Sequence, residues 1–374
     1  MSNRVPVDFE LLEQLVNIPS PPGHEGRLQA RLLEWAKPFC DEITQDSHGN
    51  LIAIRRADRS RVGMNGKPIQ RILLAGHCDQ LSLMVVHVDD SGFLLVQPVG
   101  GWDLAILLGQ SLTLWTENGP IPAVCSRKAP HLMTPEERNK LPVWHELWVD
   151  AGFKDKKDAE SLVQVGDFIT AKLSLTVMRG EFLSGPGLDD KTGVWTVFET
   201  LRLLAGKPLA VDVYCVSTVQ EEIGLRGAMT SAYGIDPTVG IAVDVTHATD
   251  TPGTEKKQVG DVRLGQGTVI HRGPNIHPLV SRLMIESAKA ESIPFQVRAV
   301  PKGTGTDANA IQTTRGGVAT GLIGIPNRYM HSPVEMVHME DLRQGARLLA
   351  RLVQNLDGST DWAGFWSGSP AAAI

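Results

Sequence analysis

Apolar residues first recur at helical spacing. Phe9, Leu12, Leu15 and Val16 predict an amphipathic helix that stops before Pro19 and the Pro21-Pro22 pair. A second helix is predicted from about Glu25 to Trp35, with Leu28, Leu32 and Leu33 on one side. The pattern then shortens: GNLIAIRR and RILLAGH are short apolar runs ended by polar punctuation, and both read as strands. From about Leu83 to Leu173 the runs LMVVHVDD, FLLVQPVGG, SLTLW, IPAVC and DFITAKL are separated by Gly, Asp, Pro and Asn. Only a turn at TPEER and a short segment near WHELW interrupt them, so this stretch predicts an all-β insertion with barrel-like spacing.

After GPGLDDKTG the two periods alternate. TGVWTVFETLRLL, RGAMTSAYG and PLVSRLMIESAKA read as helices; VDVYCVSTVQ, VGIAVDV, FQVRAV and GVATGLIGI read as strands. A final amphipathic helix is expected from about Met339 to Leu356. Alternation of this kind implies an α/β unit, a mostly parallel sheet with helices on both faces. The expected division is a discontinuous catalytic α/β domain, residues 1–80 and 175–374, split by an inserted barrel-like β domain at 81–174. The tail from Gly358, STDWAGFWSGSPAAAI, reads as a loosely packed extension.

Composition narrows the classes of function. Of 374 residues, 42% are hydrophobic and 21% charged, the balance of a globular protein. The formal net charge of −6 argues against a nucleic-acid partner, which wants a basic stripe. No apolar run approaches the roughly 18–20 residues of a membrane span. MSNRVPVDFELLEQL has no apolar core after Arg4, so a secretory signal is not expected and the cytoplasm is the default compartment. Cys40, Cys78, Cys125 and Cys215 show neither CxxC pairing nor a dense framework; four reduced thiols are expected, with Cys78 filling space on its strand.

Five polar clusters stand where predicted strands end: His77 and Asp79 in AGHCD, Asp189 and Asp190 in GPGLDDKTG, Glu221 and Glu222 in TVQEEIG, Asp244 in AVDVTH, and His331 in RYMHSPVE. Taken singly, each has a plain structural explanation. A histidine can be satisfied in the core, two aspartates can cap a helix, and a glutamate pair can be solvated. Together they converge, because ligands of an open parallel sheet gather beyond the carboxyl ends of its strands. Two imidazoles and three or more carboxylates, without sulfur, suit zinc, cobalt or manganese. A two-ion site needs one bridging carboxylate and further ligands on each side. His77 and Asp244 fit one ion, Glu222 and His331 the other, with Asp189 between them. Glu221 is then left over as general base and acid, able to take a proton from water at the ions and return it to a leaving amine. Asp79, two residues past His77, can hold that imidazole in its metal-binding tautomer. The remaining histidines form no HExxH helix, and there is no GxSxG elbow or Walker loop.

These motifs, in order, resemble metallopeptidase family 42, the tetrahedral and glutamyl aminopeptidases. The matches include IPSPPGHEG, GHCD, RKAPHLMTPEER, SGPGLDDKTG, TVQEEIGLRGA, AVDVTHATDTPG, GTGTDANAIQ and IPNRYMHSPVEMV, and they span nearly the whole chain. The resemblance implies metal ligands at His77, Asp189, Glu222, Asp244 and His331, a general base at Glu221, and a cis Asp189–Asp190 bond. It also implies an aminopeptidase of short peptides, with water between the two ions as nucleophile. The insertion would serve oligomerisation, dimers combining into a hollow dodecamer. Departures fall at Gln80, Leu81 and Ser82 after the His-x-Asp, and at Ala123 to Ser126 in the insertion. None is a ligand; they would alter the substrate pocket and the insertion's packing.

Three other functions compete with the aminopeptidase. A deacylase or carboxypeptidase of the same two-metal type would share the centre and differ in the pocket. A glycosidase would pair Glu221 with a second carboxylate and need no metal. A non-enzymatic assembly protein would not need the complete ligand set.

Overall fold

The computed structural model describes residues 9–60 and 68–367. Helices Glu10–Asn17 and Gly26–Ala36 open the chain, followed by strands β1 (Glu42–Gln45), β2 (Leu51–Arg55) and β3 (Arg71–His77). Six strands come next: β4 (Ser82–Val88), β5 (Leu94–Val99), β6 (Ser111–Thr116), β7 (Gly119–Arg127), β8 (Leu147–Asp150) and β9 (Phe168–Ala171). Two short strands, β10 (Thr176–Val177) and β11 (Phe182–Gly185), lead to the helix Leu188–Leu204. The rest alternates: β12 (Asp212–Thr218), β13 (Val239–His247), β14 (Thr268–Arg272), β15 (Phe295–Ala299), β16 (Ala319–Asn327) and β17 (Glu335–His338). Helices Arg226–Ile235, Pro278–Ala290, Asp307–Gln312 and Met339–Asn355 connect or follow them.

Eight strands form one twisted sheet in the order β1-β2-β12-β3-β13-β16-β14-β15. Its centre, β12-β3-β13-β16, is parallel, as is β14-β15; β1, β2 and the β16–β14 junction are antiparallel. The central strands are buried along nearly their whole length, which is why they read as continuous apolar runs rather than alternating ones. Residue parity sorts their side chains to two faces. Ile72, Leu74, Ile241, Val243 and Ile323 pack beneath helices 10–17, 26–36, 188–204, 278–290 and 339–355. Leu73, Ala75, Ala242 and Leu322 pack against helices 226–235 and 307–312. A Cβ on Gly76 would collide with the backbone of Gly193 and Val194, so glycine there lets helix 188–204 lie directly on β3.

Strands β4 to β9 close into a barrel in the order β4-β5-β8-β7-β6-β9. Leu83, Val85, Leu94, Val96, Leu112, Leu114, Val149 and Ile169 fill its interior, and closure leaves no unpaired sheet edge. All four cysteines are free thiols, and only Cys40 is not buried.

Several elements differ from the sequence reading. Trp144–Glu146 is one turn of 3-10 helix, but Leu147–Asp150 is strand β8, formed by pairing with β7 rather than by any periodicity of its own. β14 went unread because TVIHR is only five residues long between Gly267 and Gly273; its pairing with β15 and β16 makes it a strand. The three-stranded sheet β10-β11-β17 was also unread, and its strands have only two to four residues. The tail is not loose where it is described. Trp362 is buried, its indole N–H donates to Gln70 Oε1 at 3.2 Å, and Phe365 and Trp366 meet the His277 ring edge-on. Residues 368–374 of that tail lie outside the described residues.

Candidate metal centre

The carboxyl ends of the parallel strands bring the polar clusters to one crevice. His77 is the last residue of β3, in register with Thr218, the last of β12. Asp244 stands on the neighbouring β13, Glu221 and Glu222 follow β12, and His331 follows β16. Asp189 and Asp190 enter from the side, at the non-helical start of helix 188–204, and the bond between them is cis.

Asp189 lies between the imidazoles. Its Oδ1 is 3.1 Å from His77 Nε2 and its Oδ2 is 3.3 Å from His331 Nε2. Around His77, Glu221 and Asp244 offer ligand atoms in one cluster, and Asp189 and Glu222 in another. His77 Nε2 is 3.8 Å from Glu221 Oε2, and His331 Nε2 is 3.8 Å from Glu222 Oε2. The adjacent glutamates thus serve different sides of the crevice.

Backbone contacts fix these side chains. Asp79 accepts the N–H groups of Glu221 at 2.9 Å and Glu222 at 3.0 Å, one on each carboxylate oxygen, so it clamps the turn that carries both glutamates. Its Oδ1 also faces His77 Nδ1, at 3.5 Å, which is long for a hydrogen bond. Asp190 accepts from the backbone of His77 and Gly193; a Cβ on Gly193 would overlap its carboxylate. Glu335, on β17, accepts the N–H of Asp189 with one oxygen and that of His331 with the other, each at 2.9 Å. His331 Nδ1 lies 3.1 Å from the carbonyl of Gly101, in the loop after β5, so the barrel side of the molecule touches the centre. Gln220, Tyr329 and His331 hold left-handed backbone angles beside the site, a conformation non-glycine residues keep only under local constraint.

The electrostatics are those of an anionic well. Burial pushes the carboxyls of Glu221, Asp190 and Asp244 up, and the neighbouring carboxylates push in the same direction. Glu222 is raised to about 8 by burial and by Asp189. Burial would raise Asp189 too, but hydrogen bonds from His331 and His77 outweigh it and hold this carboxyl low. Its hydrogen bond to Asp189 lifts His331 to about 9 against its burial. Glu222 Oε1 is buried without a hydrogen-bond partner. So many carboxylates crowded around two imidazoles, one with an orphaned oxygen, need further positive charge. Nitrogen and oxygen donors without sulfur fit divalent ions.

Sequence reasoning missed Glu335, Asp190 as an anchor, and two further buried acids. Asp307, raised to about 6 by burial, accepts from Thr218 Oγ1, and Glu25, raised to about 7 by burial and Asp79, accepts the Gln220 N–H. A signal existed for each: Glu335 is four residues past His331, and Asp307 and Glu25 sit in GTGTDANAIQ and PPGHEG. A cleft of about 640 Å³ opens from the centre toward Thr246, His247, His271, Arg298 and Lys302.

Residues 59–348 match the family described as M42 glutamyl aminopeptidase. The lysyl aminopeptidase of Pyrococcus furiosus is 35% identical, covering 94% of this chain and 98% of its own. Among solved structures, a TET aminopeptidase from the marine sediment archaeon Thaumarchaeota archaeon SCGC AB-539-E09 has a TM-score of 0.86 at 31% identity, covering 93% of this chain and 97% of its own. The Pyrococcus horikoshii TET1 peptidase, which can assemble into a tetrahedron or a large octahedral shell, has a TM-score of 0.81 at 30% identity, covering 93% and 100%.

Proposed function

The chain belongs to the M42 glutamyl aminopeptidase family and is a metallo-aminopeptidase, and from that membership we propose a two-metal centre that removes amino-terminal residues from short peptides. The observation that carries this reading is Asp189, which offers one oxygen toward each imidazole. His77 and Asp244 would hold one ion and Glu222 and His331 the other. Zinc or cobalt suits the donors, with manganese as a third choice.

When bound, the ions polarise the scissile carbonyl and make water nucleophilic near neutral pH. Glu221 is the proton carrier: buried at the cleft and raised by burial, its carboxyl is suited both to accept a proton from water and to return it to the leaving amine. Asp79 keeps Glu221 at that post through the backbone, and orients His77. Glu335 ties the two halves of the site together by holding Asp189 and His331 at once.

The barrel segment, 81–174, is read as the oligomerisation domain, set into the catalytic unit of 1–80 and 175–374. Leu132 and Leu141, in the arm between β7 and β8, are 71% and 80% exposed, and Val165 is 70% exposed. Large apolar side chains presented this way suit contact with another copy of the chain. Dimers would combine into a hollow particle of twelve copies, the count of the related PhTET1-12s dodecamer. Among the described residues no helix is long and apolar enough to cross a membrane. The compartment proposed for this peptide processing is the cytoplasm.

The test is turnover of a panel of aminoacyl p-nitroanilides by enzyme loaded with zinc, cobalt or manganese. Activity that disappears with a chelator and returns with metal supports the proposal. Activity indifferent to chelation, or confined to acyl or carboxyl-terminal substrates, contradicts it.

A further inference from the structure

The wall of the cleft beyond the metal centre carries a cation whose charge no carboxylate neutralises among the described residues. Arg298 on β15 is half-buried, and no carboxylate among the described residues pairs with it. Buried charges are ordinarily paired, so a lone guanidinium in a cleft asks for an anion. Its position is built by four strands in a row. Arg298 is in register with His271 on β14; β16 comes next, and β13 beyond it. Arg298 Nη1 nevertheless donates to Thr246 Oγ1 on β13 at 2.6 Å. The lane is open because β16 contributes Gly324, where a Cβ would strike both His271 and Thr246. His271 Nε2 lies 3.4 Å from the same hydroxyl. Burial and Arg298 lower His271 to about 4, so it stays neutral and the guanidinium alone supplies the charge of this row. Lys302 adds an exposed ammonium at the rim.

Thr246 is two residues beyond the proposed ligand Asp244 on the same strand, roughly 7 Å along it. That is the scale of one substrate side chain running from an amine at the metal centre to the guanidinium. The carboxylates that line the cleft, Asp189, Glu221, Glu222 and Asp244, all lie at the metal centre, and none lies on this wall. We propose that Arg298, steadied by Thr246 and His271, receives a substrate carboxylate, that of an amino-terminal Glu or Asp side chain. The inference rests on the aminopeptidase reading and sharpens it, because the family's description and the lysyl relative point to opposite side-chain charges.

The experiment compares kcat/KM for the p-nitroanilides of Glu, Leu and Lys, which lack a terminal carboxylate, in wild type, Arg298→Met and Arg298→Lys. Wild type should prefer Glu. Arg298→Met should lose roughly 10- to 100-fold on Glu, the worth of a charged hydrogen bond, and stay within about twofold on Leu. Arg298→Lys should keep part of the preference, since charge survives but the planar fork does not. Calorimetric binding of free L-glutamate against L-leucine reads the same pocket without turnover. Poor use of Glu by wild type, or equal losses on Glu and Leu, would overturn the proposal. So would an Arg298-dependent preference for Leu-Leu over Leu-Leu-amide whatever the first residue, which would assign the carboxylate to the peptide's other end. If no aminoacyl substrate is turned over, the aminopeptidase reading fails, while Arg298-dependent binding of glutamate over leucine still decides the pocket.

Discussion

The crevice at the ends of the parallel strands and the barrel beside it are built on opposite terms. In the crevice, buried carboxylates repel one another, and their positions are set by backbone N–H groups: Asp79 holds Glu221 and Glu222, and Glu335 holds Asp189 and His331. In the barrel, alternating Leu, Val and Ile fill the interior, and the apolar residues left over face outward on the arm at Leu132 and Leu141. The first arrangement sacrifices stability to collect a ligand set; the second gains it from area and places the surplus where another copy can cover it. They meet at Gly101, whose carbonyl faces His331 Nδ1. On the proposed function, chemistry in this chain would depend on a few polar contacts, and assembly on surface area.

That contrast can be broken by substitution, and the largest expected effect lies in the crevice. Glu221→Gln would remove only the proposed proton carrier: kcat should fall about 10²- to 10⁴-fold while metal content, measured by mass spectrometry, stays at the wild-type value. Retained turnover would remove Glu221 from that role. Glu335→Gln offers one acceptor oxygen where two N–H groups need one each, and a roughly 10- to 100-fold loss in metal affinity or activity is expected, since it acts through Asp189 and His331. Metal titration of the variant checks it, and unchanged affinity would show that the two ligands do not depend on this anchor.

On the barrel side the effects should leave the chemistry alone. Leu147→Ala opens space in the barrel core and should cost about 2–5 kcal/mol in denaturant unfolding, with turnover of small substrates at native conditions little changed. Parallel loss of metal affinity would mean that Gly101 couples the regions more tightly than the contrast allows. The pair Leu132→Glu and Leu141→Glu should have the smallest effect on one chain, within about 0.5 kcal/mol as at other exposed sites, yet reduce the particle mass in light scattering. Unchanged mass would free the arm from any part in assembly.

The same contrast explains what could be read in the chain. His77, Asp189, Glu222, Asp244 and His331 were visible because polar residues ending apolar runs are rare in a buried sheet, and the structure gathers them. Glu335 was not, because its place four residues past His331 is also the polar start of an ordinary strand; only the fold brings its oxygens to the N–H groups of Asp189 and His331. Asp79 was read as a partner of His77, whose Nδ1 its Oδ1 faces at 3.5 Å; its hold on the glutamate turn was not read, because it joins segments 142 and 143 residues apart. β8 and β14 were missed for a related reason: four- and five-residue strands are made by their neighbours, and no local period announces them. The barrel's longer strands were legible because alternation there is the packing itself.

The central claim, two ions held across Asp189, is tested most directly by a crystal structure of the metal-loaded protein with anomalous scattering recorded at the metal's absorption edge. The expected result is two peaks flanking Asp189, one beside His77 and Asp244 and the other beside His331 and Glu222, with Asp189→Asn reducing their occupancy. A single peak, or peaks away from Asp189, would contradict it.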